Sequence, residues 1–174
     1  PARLSSANRG VVFLREDTGR ERAVGPGGFG AGRLPSEQFS TFQSLISDQA
    51  TSLRLAIGYA TPDQEKLLRA KLAEPIFKEV GTIEQMVKDK GANAELVYSP
   101  GDWFAKITGR IDRLRTVEEG YTEDIQQEIH ANMAADRDAF VSYASLLLVA
   151  VGLTLWICFA IVRNLLETLG GEPE

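Results

Sequence analysis

Residues suited to metal binding or covalent chemistry are scarce in this 174-residue sequence. It contains one cysteine, Cys158, so no disulfide can form within the chain. It also contains one histidine, His130, whereas a structural zinc site takes four ligands that are mostly cysteine or histidine. We therefore expect no metal and no other cofactor, and no group of residues in the sequence supports an enzyme.

A strongly basic region is also lacking. Before Ala139 the sequence has 18 lysines and arginines against 21 aspartates and glutamates, a net charge of −3. Proteins that bind nucleic acid usually present a concentrated positive surface, so we expect no nucleic-acid partner. Residues 1–138 are enough for one domain of modest size.

Charge is absent altogether from the 24 residues Ala139 to Val162. A helix of this length spans about 36 Å, which exceeds the roughly 30 Å of a bilayer's hydrocarbon core. Core helices of soluble proteins rarely stay apolar on every face over such a length. The segment therefore predicts one transmembrane helix. Its orientation is not settled by flanking charge, because Arg137 precedes the span and Arg163 follows it.

Helical patterns dominate residues 1–138. They predict a first helix over residues 2–15 and then a loop over residues 17–34, where glycine and arginine are frequent. Ser36 is the expected N-cap of a second helix, and Pro62 is expected to begin a third. Pro75 either interrupts or kinks the third helix, and a turn follows at residues 91–94.

The last predicted helix is the longest, with Ser99 as its capping residue and Pro100 at its first position. Apolar residues recur along it at spacings of three and four: Trp103, Ile107, Ile111, Leu114, Val117, Tyr121, Ile125, Ile129 and Met133. No proline occurs from Phe104 to Val162, so this helix should enter the membrane without a break. The predicted fold is all-α: an up-and-down bundle of about four helices, with the last one continuing as the transmembrane helix. A continuous helix of this kind would be found both in a protein that transmits a signal across the membrane and in one that is only anchored there.

Two motifs allow both a structural and a functional interpretation. Gly25 to Gly30 matches the dinucleotide fingerprint G-x-G-x-x-G, but no strand precedes it, which favours a mobile glycine loop. Arg9 lies at the edge of the first helix's apolar face. An arginine there usually extends to solvent or forms an ion pair, which is the preferred interpretation. It could instead bind a planar oxyanion through its guanidinium group.

Two segments resemble the nitrate- and nitrite-sensing (NIT) domain family. Residues 103–118 are similar to the family's last-helix signature, WF-x-x-x-T-x-x-ID-x-LR-x-VE, and Asn8-Arg9-Gly10 resembles its recurring Glu-Arg-Gly motif. The resemblance covers residues 5 to about 135 and corresponds to the second half of the family's domain. It implies an all-helical input domain that binds nitrate or nitrite between helices through arginines. Only Arg9 occupies the position of an arginine in the family's motif, so the resemblance implies a ligand role for this residue alone. Arg54 and Arg110 are added because they lie on helices expected to pack near it.

After the membrane, the Leu-Gly-Gly-Glu-Pro run within residues 163–174 is similar to the start of the HAMP linker of bacterial chemoreceptors. This resemblance implies a protein of the bacterial inner membrane. Residues 1–138 would be periplasmic, residues 139–162 would cross the bilayer once, and residues 163–174 would be cytoplasmic.

Two functions are therefore expected as alternatives. The first is the sensory input domain of a chemoreceptor-like signalling receptor, with nitrate or nitrite as its ligand. The second is a non-sensing single-pass subunit that uses a degenerate half-domain for helical assembly. In either role the chain should contact lipid and act as a homodimer or with other subunits.

Overall fold

The computed structural model describes residues 2–169, which form helices and loops without a strand. The helices are α1 (Ala2–Gly30), α2 (Ser36–Tyr59), α3 (Pro62–Leu72), α4 (Pro75–Lys90) and α5 (Pro100–Leu169). The predicted all-α fold, with a long last helix, is confirmed. The chain divides between Glu128 and Ile129 into two compact units.

The predicted loop over residues 17–34 is wrong for residues 17–30, because α1 continues to Gly30 and includes Pro26, whereas residues 31–34 do lie between helices. Glycine disfavours an isolated helix by about 1 kcal/mol relative to alanine. Here Gly25 and Gly28 are buried where the side chains of Trp103 and Leu34 press against the helix. Close packing offsets the poor helix propensity, and the fingerprint-like motif therefore lies in a helix rather than in a mobile loop.

Three helix starts differ in their capping. Ser36 is not the N-cap of α2: Pro35 holds that position, and the Ser36 hydroxyl accepts a hydrogen bond from the Asn93 side chain at 3.0 Å. Thr61 caps α3 and forms a capping box with Gln64. Pro75 begins α4 as one of its first residues, so it separates two helices rather than kinking one.

The predicted capping serine of α5 is confirmed, since the Ser99 hydroxyl accepts a hydrogen bond from the Asp102 backbone N–H at 3.2 Å. The predicted turn at residues 91–94 is confirmed as well. Gly91 and Asn93 both have positive φ angles there, 81° and 59°. Positive φ is least costly for glycine and is tolerated by asparagine, which explains these residue types in the turn.

Two buried apolar clusters hold the first unit together. The tryptophan core consists of Phe29, Leu34, Phe42, Val80, Ile83, Val87, Leu96, Trp103 and Ile107. The tyrosine core consists of Ala7, Val11, Ala56, Ala60, Leu68, Val117 and Tyr121. Along α1, α2 and α5 the two cores occupy opposite ends of the bundle, and polar residues are buried between them.

Gly25 provides a direct test of this packing. A Cβ atom on Gly25 would lie 2.0 Å from the Trp103 indole Nε1, so we expect Gly25→Ala to destabilise the first unit by about 1–3 kcal/mol. Gly27 is the matched control, because a Cβ atom there meets nothing within 4 Å. Gly27→Ala should be neutral or stabilising through helix propensity. Chemical unfolding of both variants checks the prediction, and equal stabilities would contradict it.

The second unit contains the predicted span. Residues 139–162 lie within α5, and their large apolar side chains are exposed, for example Phe140 at 72% and Leu148 at 72%. Among residues 2–169, α5 is the one helix long and apolar enough to cross a membrane. The helix is unbroken from Pro100 to Leu169, as predicted. Of the linker-like segment, residues 163–169 continue α5, and residues 170–174 lie outside the described part of the chain.

Candidate functional site

Five polar side chains meet between the tryptophan core and the tyrosine core, and we call them the core network. Four helices of the bundle contribute: α1, α2, α4 and α5. The network consists of Thr18, Glu21, Gln49, Glu84 and Arg110. Thr18 and Glu21 are fully buried and Gln49 is 3% exposed. The side chains of Arg110 and Glu84 are 13% and 14% exposed.

Gln49 is the centre of the network. Its amide Nε2 donates to Glu21 Oε2 at 2.7 Å, and its Oε1 accepts from Arg110 Nη2 at 2.8 Å. Arg110 Nη1 donates to Glu84 Oε1 at 2.5 Å. Thr18 Oγ1 lies 3.2 Å from Gln49 Oε1 and 2.7 Å from the Leu14 carbonyl oxygen. The spacing of three between Thr18 and Glu21 places both on one face of α1.

Two atoms of the network are buried without a hydrogen-bond partner: Arg110 Nε and Glu21 Oε1. The Arg110 guanidinium also lies over the Phe77 ring, with Cζ 5.5 Å from the ring centroid. This cation–π contact compensates only part of the cost of burying the charge. The guanidinium group therefore keeps an unused donor inside the bundle, where an unpaired polar group is costly.

Glu21 is held in its neutral form at neutral pH. Burial raises the pKa of its carboxyl to about 8, and the nearby charge of Glu84 contributes in the same direction. The hydrogen bond from Gln49 and the charge of Arg110 act against this but are weaker. The network then contains one cation, Arg110, one carboxylate, Glu84, and one neutral acid, so its net charge is close to zero.

The network reaches the surface through Glu84. A cavity of about 190 Å³ lies between α2 and α4, lined by Phe42, Gln43, Ile46, Ser47, Glu84 and Lys88. A larger groove of about 760 Å³ runs along α4, but its lining residues, such as Thr82 and Gln85, include no buried polar group. The smaller cavity therefore connects solvent to the network.

The sequence model of the family described as "Nitrate and nitrite sensing" matches residues 2–126. The chain belongs to the NIT family. The predicted family is thereby confirmed, whereas the correspondence to the second half of the family's domain stays a prediction. The matched range contains the whole core network. Comparison with curated proteins and with solved structures found no match.

The three arginines predicted to bind the ligand occupy different environments in this NIT domain. Arg110 belongs to the core network. Arg54 is exposed and donates to Thr51 Oγ1 at 2.9 Å. Arg9 is exposed, has no hydrogen bond or ion pair described within residues 2–169, and lies about 13 Å along α1 from Thr18. The described contacts join neither residue to Arg110, and their ligand roles stay predictions.

The motif around Arg9 has a packing role through its glycine. A Cβ atom on Gly10 would lie 2.4 Å from the backbone nitrogen of Ala56, so α1 and α2 cross closely at this point. Only glycine allows such an approach. The NIT-like motif in this chain therefore combines a buried glycine, which fixes the crossing, with an arginine that faces solvent.

Other arginines of the NIT domain link α1 to α5 nearer the surface. Arg15 forms an ion pair with Glu118 at 2.5 Å, and Arg22 donates to Thr108 Oγ1 at 3.2 Å. Arg22 also lies over the Phe104 ring at 5.0 Å. Partly exposed pairs of this kind contribute little to stability, and solvent competes for their donors. Arg110 is the better candidate for a specific anion.

Four members of the core network were not predicted as site residues. Gln49 offered a signal, because it falls within an otherwise apolar stripe of α2, where a buried amide needs partners. Glu84 follows Ile83 on α4 and reads from sequence as a surface residue. Thr18 and Glu21 fell within the predicted loop, so no helix face could be assigned to them.

Proposed function

We propose that this NIT domain is the sensory input domain of a membrane-anchored, chemoreceptor-like receptor, and that its ligand is nitrate or nitrite. The observation that carries the proposal is Arg110 on α5, whose guanidinium group is held by residues of α2 and α4 and keeps an unused Nε donor. Nitrate is a planar monoanion that matches the donors of a guanidinium group and requires no metal.

The position of Arg110 suits a sensor. Its partners come from α2 and α4, and Gln49 extends the hydrogen bonds to α1. An anion on Arg110 would change contacts that hold these helices in one arrangement. Binding shifts a conformational equilibrium only by its difference in affinity between the two states, and we propose that an anion on Arg110 has such a difference.

The output of the proposed sensor is α5, which carries Arg110 and continues to Leu169 without a break. A small shift or rotation of a helix is a common signalling motion, and a continuous helix would transmit it through the apolar segment 139–162. We further propose a bacterial inner-membrane location with the bundle in the periplasm, the C-terminus in the cytoplasm and a homodimeric assembly.

A second candidate function is a non-sensing subunit that uses the bundle for assembly. The specific observation in its favour is that two of the Arg110 nitrogens are already engaged, by Glu84 and Gln49. A buried ion pair of this type is also found where only the fold requires it. The two functions differ in a measurable way, because only the sensor binds an anion.

The test is titration of the full chain in detergent micelles with nitrate, nitrite and chloride, followed by calorimetry and thermal shift. We expect nitrate or nitrite to bind more tightly than chloride. Arg110→Gln should weaken binding at least about tenfold, since hydrogen bonds to charged groups contribute about 1.5–3 kcal/mol each. Arg110→Lys should restore little, because lysine lacks the planar fork.

Arg33→Gln is the matched control, since Arg33 is an exposed arginine in the loop between α1 and α2 and does not belong to the network. Circular dichroism verifies that each variant stays helical. Arg9→Ala and Arg54→Ala in the same titration test the two remaining predicted ligand residues, and weaker binding by either variant would support its predicted role. No heat and no thermal shift with any of the three anions would favour the assembly subunit.

A further inference from the structure

We propose that Glu84 is a displaceable internal carboxylate. It occupies the position on Arg110 that an incoming planar anion takes, and the anion enters through the cavity between α2 and α4. The proposal rests on the proposed function and describes how the same site is regulated. In the free domain Glu84 occupies the guanidinium group of Arg110 until a ligand displaces it.

The first step is the similarity between Glu84 and the ligand. A carboxylate and nitrate are both planar and both present two oxygens to a guanidinium group. Glu84 Oε1 accepts from Arg110 Nη1 at 2.5 Å. The space that its carboxylate would leave is therefore already shaped for a planar anion. No other empty volume is required inside the bundle.

The second step is a route and a destination for the displaced side chain. Glu84 lines the cavity of about 190 Å³ as well as pairing with Arg110, so it stands between solvent and the guanidinium group. Lys88 lines the same cavity one helical turn further along α4 and is exposed. A glutamate and a lysine at this spacing form a favourable pair, which would hold the displaced carboxylate.

The third step is what remains around the anion. Glu21 from α1, Gln49 from α2 and Arg110 from α5 would surround it. The buried Glu21 Oε1 has no hydrogen-bond partner. In its neutral form Glu21 supplies an O–H donor, so the anion would meet donors rather than a second negative charge.

The proposal is tested by titrating the full chain in micelles with nitrate. Glu84→Gln and Glu84→Ala remove the competing charge, and each should bind nitrate about tenfold more tightly than the wild type, because ligand no longer has to displace an ion pair. Glu79→Gln is the matched control. Glu79 lies on the same helix and pairs with Lys106 outside the network, so the Glu79→Gln variant should bind nitrate as tightly as the wild type.

A Lys88 variant distinguishes displacement of the Glu84 carboxylate from direct attraction of the anion by the lysine. Lys88→Gln should weaken nitrate binding several-fold in the wild type, because the displaced carboxylate loses its partner. In the Glu84→Gln background the same change should have little effect, which a double-mutant cycle measures. A full Lys88 effect in that background would show that the lysine attracts the anion directly and would overturn the proposal.

The remaining outcomes are also distinct. If the wild type binds nitrate and both Glu84 variants bind it equally or more weakly, displacement is refuted and the sensory function stands. If neither the wild type nor the variants bind nitrate or nitrite, both proposals fail together. Lys88 is exposed, so Lys88→Gln should fold even if a Glu84 variant does not, and an unchanged nitrate affinity of this single variant would by itself contradict displacement.

Discussion

Raising the pH from about 5 to about 8.5 is expected to lower the free energy of unfolding of the bundle by about 3–5 kcal/mol, because one buried acid is then forced to ionise in the folded state. The acid is Glu21, whose carboxyl is fully buried between the two apolar cores. The variant Glu21→Gln should lose most of this dependence on pH and should be more stable than the wild type at pH 8.5.

The sign follows from the pKa values. The pKa of Glu21 is raised from 4.5 to about 8 in the folded protein, chiefly by burial. Between these values the folded state keeps a proton that the unfolded state has released, so stability falls as pH rises through this window. Below about pH 4.5 both states are protonated, and above about pH 8 both are ionised. Glutamine cannot ionise, and its carbonyl can still accept the hydrogen bond from Gln49.

The measurement is denaturant unfolding of the full chain in micelles, followed by Trp103 fluorescence in a Trp156→Phe background. Trp103 is fully buried in the tryptophan core and reports on the bundle. Glu16→Gln is the control, since Glu16 is an exposed residue of the same helix. If the free energy of unfolding changes equally with pH in Glu21→Gln and in the wild type, Glu21 does not titrate in this range.

Most of the helices could be predicted because their apolar residues repeat with helical period. The stripes on α2, α4 and α5 are strong, and proline positions marked the breaks. The exception was residues 17–30, where local composition pointed to a loop. Trp103 follows Gly25 by 78 residues in the sequence, and its side chain packs closely against this glycine and helps to hold the helix there. Such a contact between distant residues cannot be read from local propensity.

The site was predictable only in part for a similar reason. Arg110 was named because its helix was expected to pack near α1, and it does lie in the core network. Its partners Glu84 and Gln49 lie 26 and 61 residues away in sequence, and each comes from a different helix. A single sequence contains no signal that pairs them. The resemblance pointed instead to Arg9, whose neighbouring glycine, rather than its own side chain, is buried.

The second large effect is expected in the apolar segment 139–162. Val151→Arg places a charge near its centre, where an arginine costs about 2.5–3.5 kcal/mol on insertion scales. Adding Leu147→Arg, one helical turn earlier, should roughly double this cost. Both side chains are exposed in the described helix, at 50% and 66%, so neither change disturbs packing within the chain. Alkaline extraction of membranes should therefore find the double variant largely in the soluble fraction.

Position within the segment provides the control. Ser142 lies near one end, and an arginine there can extend its charge to the membrane interface at small cost. Ser142→Arg should therefore stay in the membrane, as the wild type should. A steep dependence on depth is specific to a bilayer, because an apolar helix covered by protein has no central plane where charge costs most. If the double variant is retained like the wild type, residues 139–162 do not cross the bilayer, and α5 cannot be the output of the proposed receptor.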